Sequence, residues 1–265
     1  DRAPVGNAVP VWTGWRGPNR DGRVRWLPSS LPAEPKILWR KPLVSQGLGG
    51  VAATLSKVVV SDREFQNTAD AFYCLDAADG SQLWPIISPA GGNLDFGNSP
   101  RATPLIVGDR VYLAGAFGEV QCVKFATGEP IWQTDISIEF EAPDELPWGY
   151  CASPLLVDGK LIVAPGAADA SLVALDAATG KVVRQSPGGR PGYGSFIAAT
   201  LGGRLQIVGH DKHTLGGWDP ATGRRLWSLK PPNPNDFNVP TPIAVDGRLA
   251  YRTLGTGPDL VLVHG

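Results

Sequence analysis

Methionine is absent from the 265 residues, and the chain begins at Asp1. Position 1 is therefore not a translation start, and the chain reads as a processed or trimmed product. Cysteine is scarce: Cys74, Cys122 and Cys151 are the only three. An odd count excludes a closed disulfide framework. No Cys-x-x-Cys pair or Cys/His cluster has zinc spacing, so three free, partly buried thiols are expected. Charge is low and balanced, with 24 Lys and Arg against 25 Asp and Glu and a net charge of −1. That excludes the basic field a dedicated nucleic-acid binder needs. No apolar run reaches the ~18 residues of a membrane-spanning helix.

Glycine and proline are plentiful, 33 and 25 residues, while 43% of the chain is hydrophobic. Such a chain has a core to bury but turns often, because both residues are costly in helix interiors.

The turns recur. Leu75 to Trp84 reads L-D-A-A-D-G-S-Q-L-W, and near-copies run over 123–132, 175–184 and 218–227. Their glycines fall at 80, 128, 180 and 223, so the period is in the forties. Upstream of the copies lies a second motif, seen at Thr103–Tyr112, Ser153–Ile162 and Thr241–Ala250. In it two β-branched runs flank a Gly-Asp or Asp-Gly turn, a hairpin signal. Weaker copies begin at Ala53 and Ala199. Each unit therefore reads as strand A, tight turn, strand B, loop, strand C, Asp-Ala-Ala-Thr-Gly turn and strand D. Units of this kind predict the four-stranded antiparallel blades of an all-β propeller. The Asp in the C–D turn caps backbone N–H groups and the Gly takes positive φ. Trp84, Trp132 and Trp227 open strand D and are placed to pack on the neighbouring blade, whereas Arg184 stands there in the third unit.

These repeats resemble the tryptophan-docking repeats of pyrroloquinoline quinone (PQQ) propeller proteins, over about Trp12 to Leu262. The opening Trp12 to Gly22 resembles the lead-in of PQQ-binding-like propellers common in bacterial envelopes. The propeller lipoproteins of the outer-membrane barrel assembly machinery are similar too. The resemblance implies a periplasmic or otherwise exported protein. It implies no cofactor by itself, because many such propellers bind no quinone. Quinoprotein dehydrogenases are longer and carry calcium ligands and a vicinal disulfide, and this chain has no Cys-Cys pair. PQQ with Ca²⁺ is thus the alternative to a non-catalytic binding or scaffold module.

The expected organisation is a lead-in over 1–34 and a propeller over 35–265. Its blades fall at about 47–84, 98–132, 149–184, 192–227 and 238–265, with an extra strand at 36–40. The fifth unit lacks strand D, and Ile37-Leu38-Trp39 is expected to pair with Leu260-Val261-Leu262 to supply it. The alternative is a partial arc of a seven- or eight-bladed propeller. Gly247 to Gly265 also resembles the opening strands of an α/β-hydrolase, but no Gly-x-Ser-x-Gly elbow is present and the repeat phase fits a fifth blade.

Function is expected on the face with the long loops, 85–99, 133–149 and 228–239, where a protein partner would dock. The middle loop carries Asp135, Glu139, Glu141, Asp144 and Glu145 without a cation. Residues leading into strand A should line a funnel: Asn98 and Arg101, Trp148 and Tyr150, Tyr193, and Asn238. A cation beside aromatic rings and amides suits a planar anionic ligand. Trp39, Trp84, Trp132 and Trp227 are the expected docking residues. No metal site is expected, and His210 to His213 reads as a polar turn.

Overall fold

A computed structural model describes residues 11–24, 30, 32–44, 48–142, 146–230 and 238–250. The first sheet contains β1 (Ala52–Ala53), β2 (Lys57–Arg63), β3 (Ala69–Asp76) and β4 (Gln82–Pro89). The second contains β5 (Leu105–Val107), β6 (Arg110–Ala114), β7 (Glu119–Lys124) and β8 (Pro130–Asp135). A one-turn helix follows, α1 (Ile136–Glu139), capped by the Asp135 carboxylate. The third sheet contains β9 (Leu155–Val157), β10 (Lys160–Val163), β11 (Leu172–Asp176) and β12 (Val182–Ser186). The fourth contains β13 (Ile197–Leu201), β14 (Arg204–His210), β15 (Leu215–Trp218) and β16 (Arg225–Leu229). A hairpin of β17 (Ile243–Val245) and β18 (Arg248–Ala250) opens a fifth unit. Neighbouring strands within each sheet follow one another in sequence and run antiparallel, so each repeat folds as one sheet.

The turn chemistry explains the register. Asp158 and Gly159 both have positive φ, 48° and 71°, and Asp246 and Gly247 repeat this at 49° and 71°. Two consecutive positive φ angles make the tight turn whose twist suits a hairpin. In the C–D turns the Asp76, Asp176 and Asp219 carboxylates accept N–H groups two residues on, at 2.8, 3.0 and 2.7 Å. Each C–D pair carries a register shift one step before that turn. A bulge there bends strand D and lets the turn reach the adjacent sheet.

That reach is the docking contact. Trp39, Trp84 and Trp132 donate their indole N–H to the carbonyls of Ala77, Phe125 and Ala177, at 2.9, 3.0 and 3.0 Å. Each acceptor sits in the C–D turn of the following unit. A Cβ at Gly80, Gly128 or Gly180 would come within 2.6 to 2.9 Å of the docked ring. The glycine is thus required by its φ near 74° and by the ring stacked on it. At Gly223 such a Cβ would meet Ser186 Oγ at 2.5 Å and the Arg184 side chain, Cδ and Nε, at 2.9 Å. Arg184 therefore occupies the tryptophan position. Trp227 instead donates to Gln206 Oε1 in its own sheet, at 2.7 Å. The fifth C–D turn, which it would meet, lies outside the described residues.

The core sits between sheets. Phe72, Cys74 and Trp84 of the first pack against Ile106, Val111 and Leu113 of the second. Tyr112 and Cys122 then meet Leu161, Val173 and Leu175 of the third, and Leu155, Ile162 and Leu172 meet Ile207 and Trp218 of the fourth.

One expectation cannot be met within the described residues, and another needs correction. Residues 35–40 pair with no strand among the described residues. Trp39 docks them, while Ile37 and Leu38 are exposed. Docking holds the side chain without needing a ladder; the expected partner at 260–262 lies outside the described residues. The first long loop is also shorter than expected, because β4 continues to Pro89. Proline, which has no N–H to donate, is tolerated at 85 and 89 because strand D is the outer edge of its sheet, where a missing donor leaves no ladder acceptor unpaired.

Candidate binding site

The first four units are linked where strand A begins. Gly50 donates its N–H to Thr103 Oγ1 at 3.1 Å, Thr103 to Ser153 Oγ at 3.0 Å, and Ser153 to Ser195 Oγ at 3.0 Å. The lead-in lies across these beginnings. Trp12 pairs with Ala53 through two backbone bonds, and the Thr13 carbonyl accepts the Ile106 N–H. Arg20 donates to the carbonyls of Pro154 and Ser153 at 2.6 and 3.1 Å. Trp15 donates its indole N–H to Thr241 Oγ1 at 3.0 Å. One short segment thus touches the first, second, third and fifth units. Burial holds the Arg20 guanidinium down at about 9.

The same region borders an open cavity of about 400 Å³. Of the six residues expected at a funnel, Arg101, Trp148 and Tyr193 line it. The Trp148 ring lies 4.7 Å from Tyr193 and 5.7 Å from Phe96, which meets it edge-on. Arg101 is 8% exposed. Its Nη2 donates to the carbonyls of Asp95 and, at 2.6 Å, Gly97. No carboxylate pairs with it among the described residues. Cys151 donates its thiol to the Trp148 carbonyl at 3.2 Å, and burial pushes that thiol up while Arg101 opposes the shift.

The other three sit elsewhere. Asn98 donates to Asn67 Oδ1 and the Gly92 carbonyl, tying two loops together. Tyr150 lines a separate, broader hollow of about 900 Å³ with Leu94, Phe117 and Ile138, and its hydroxyl donates to the Pro165 carbonyl. Asn238 is buried and donates to the carbonyls of Asp211 and Lys212. It thereby clamps the His210 to His213 turn, whose Asp211 carboxylate is paired with Arg225 at 2.5 Å. Desolvation pushes that carboxyl up, but hydrogen bonds from Arg225, His213 and Thr214 outweigh it and hold the group low.

Sequence reasoning missed Trp15, Cys151, Ser153, Ser195 and Thr241, all of which line the cavity. A signal existed: a hydroxyl residue opens each strong copy of the hairpin motif, at Thr103, Ser153 and Thr241.

A second polar centre joins the first two sheets. Arg63 Nη1 meets Asp70 Oδ1 at 2.7 Å, with both side chains buried. Ser99 donates to Asp70 Oδ2 at 2.6 Å and accepts the Ala116 N–H at 2.8 Å. A Cβ on Gly115 would lie 2.7 Å from both Asp70 Oδ2 and Glu119 Oε2, so only a glycine fits between the two acids. Glu119 Oε2 is buried without a hydrogen-bond partner among the described residues. Its carboxyl is pushed up to about 7, chiefly by burial and further by Asp70 and Asp135. In the acidic loop Asp135 caps α1 and Glu139 accepts from Thr134, while residues 143–145 lie outside the described residues.

The cysteines are free, with Cys74 and Cys122 buried. Burial pushes both thiols up to about 11. Thiol titration of the denatured, non-reduced protein is expected to count three. In the native protein Cys74 and Cys122 should react far more slowly; a denatured count of one would reveal a disulfide.

Four-stranded antiparallel sheets, one per repeat and docked by tryptophans, define a PQQ-like β-propeller repeat protein. The family described as outer membrane protein assembly factor BamB matches residues 73–253, more than half of the chain, and the chain belongs to that family. It is 31% identical to the assembly factor BamB of Burkholderia pseudomallei, over 33% of this chain and 21% of that protein. It is 26% identical to the glycerol dehydrogenase large subunit of Gluconobacter oxydans, over 52% of this chain and 23% of that protein. Among solved structures it resembles BamB from Moraxella catarrhalis, with a TM-score of 0.56 and 21% identity, covering 72% of this chain and 54% of that one. The chain spans less than a quarter of the length of these curated relatives and about half of that solved structure.

Proposed function

We propose that this chain is a non-catalytic propeller, a binding or scaffold module of the bacterial envelope, with its protein partner on the long-loop face. One observation carries the reading. No carboxylate lines the cavity at the start of strands A among the described residues, and Trp15 of the chain's own lead-in forms part of its wall. Calcium takes six to eight oxygen ligands, carboxylates prominent among them. The described residues hold no group of three or more His, Cys, Asp or Glu placed to bind a metal. The donor set therefore does not fit calcium-assisted quinone chemistry. Kinship with outer membrane protein assembly factors supports the same reading and the envelope location.

The second reading, a PQQ-dependent oxidoreductase, is favoured by the likeness to the glycerol dehydrogenase large subunit. Absorbance and fluorescence of the protein with PQQ and Ca²⁺, followed by a dye-linked alcohol assay, discriminate the two. The expected result is no calcium-dependent spectral change and no dye reduction. PQQ-dependent dye reduction would overturn the non-catalytic reading.

A further inference from the structure

The cavity beside Arg101 is rich in donors and poor in acceptors. Ser153 Oγ and Ser195 Oγ each accept a backbone N–H, and Thr241 Oγ1 accepts the Trp15 indole N–H. A hydroxyl that accepts from within the fold keeps its own proton to give elsewhere. All three hydroxyl residues line the cavity. Arg101 adds a positive charge, nine-tenths buried and paired with backbone carbonyls but with no carboxylate among the described residues. Its Nε has no hydrogen-bond partner among them. A buried cation without an anion is costly, and an anion brought into the cavity would offset that cost.

The walls set the rest of the ligand. Trp15, Phe96, Trp148 and Tyr193 present aromatic surface, and a volume of about 400 Å³ is that of a small-molecule pocket. Flat faces favour a flat ligand through offset or edge-on ring contacts. The charge balance sets the valence: one guanidinium matches one carboxylate, whereas a tricarboxylate such as PQQ would leave two negative charges uncompensated.

We propose that this cavity binds a small aromatic monocarboxylate, with the ring among Trp15, Trp148 and Tyr193 and the carboxylate toward Arg101, without a metal. The proposal deepens the non-catalytic binding reading and rests on it.

The test uses 4-hydroxybenzoate as probe, followed by tryptophan fluorescence and calorimetry. Saturable binding is expected, unchanged by EDTA. Benzyl alcohol, which lacks the charge, and acetate, which lacks the ring, should each bind at least tenfold more weakly. Arg101→Gln should weaken the probe at least tenfold, with Arg101→Lys recovering part of the loss. Because Arg101 also ties down the 95–97 backbone, Tyr193→Leu provides an independent variant that leaves those bonds in place and should weaken the probe severalfold. Absent or non-saturable binding, equal binding of benzyl alcohol, calcium-dependent binding, or full affinity in the Tyr193→Leu variant would each overturn the proposal. The two readings fail separately. A probe that does not bind leaves the non-catalytic reading standing, whereas PQQ-dependent dye reduction removes that reading without abolishing probe binding.

Discussion

Trp84→Ala is expected to lower the stability of the protein by about 3–5 kcal/mol, the usual cost of emptying a buried aromatic site. The ring is 4% exposed and packs with Phe72, Ile106 and Val111 at the joint of the first two sheets. Its indole N–H holds the Phe125 carbonyl in the next C–D turn at 3.0 Å, and its ring covers Gly128. Truncation therefore empties a cavity, strands a carbonyl and uncovers a turn together. Trp132→Ala should cost less, because Trp132 is only partly buried although its contacts follow the same plan. Arg184→Trp should act in the opposite direction. Arg184 Nη1 is buried without a hydrogen-bond partner among the described residues, and burial pushes the guanidinium down. An indole there would remove that buried polar atom and cover Gly223 as the others cover their glycines. The gain should be about 1 kcal/mol, since neighbours such as Ser186 have packed around arginine. Urea midpoints of the three variants beside the parent measure all of this. A neutral Trp84→Ala would refute the docking account.

The second large effect is expected in the pH dependence of Glu119→Gln. Burial, with Asp70 and Asp135 nearby and Arg63 only partly opposing, raises the Glu119 carboxyl from its usual 4.5 to about 7. The folded state therefore prefers the protonated acid. Below pH 4.5 the group is protonated in both states, and its contribution to stability is fully present. As pH rises from 4.5 to 7 the unfolded chain releases the proton first, and that stability is lost. Above pH 7 the loss is complete. A shift of this size corresponds to ~3 kcal/mol at most, and partial exposure reduces the expected effect to about 1–2 kcal/mol. The glutamine variant cannot ionise. It should match the parent near pH 4 and exceed it by about 1–2 kcal/mol at pH 8. The difference between urea midpoints of parent and variant at pH 4, 6 and 8 isolates this group from the other acids. A difference that stays flat across that range would mean that Glu119 is solvated, and that the orphaned oxygen between the two sheets finds water.

Much of the architecture was legible because it is local and repeated. Asp76, Asp176 and Asp219 recur with a glycine four residues on, and a carboxylate capping its own turn needs nothing beyond those few residues. The Asp-Gly hairpins are decided in the same way, by φ angles that glycine and aspartate tolerate. Such segments alone dictate the strand order within each sheet, the period and the class of propeller. The docking position could also be read, even at Arg184, where the residue type changed and the place did not.

The roles of the non-repeating segments depend on the folded chain. Trp15 and Arg20 lie in a lead-in without periodicity, and their partners, Thr241, Ser153 and Pro154, are more than a hundred residues away. No local pattern encodes contacts at that separation. Asn98, Tyr150 and Asn238 stand near the starts of strands A, as Arg101, Trp148 and Tyr193 do, yet they turn into loops or a second hollow. Side-chain direction at a strand's beginning depends on the backbone of neighbouring units rather than on spacing. The charge state of Glu119 has the same origin: its sequence neighbours carry no charge, and only the folding of two sheets against each other brings Asp70 and Arg63 beside it and shuts out the water that would otherwise keep it an ordinary acid.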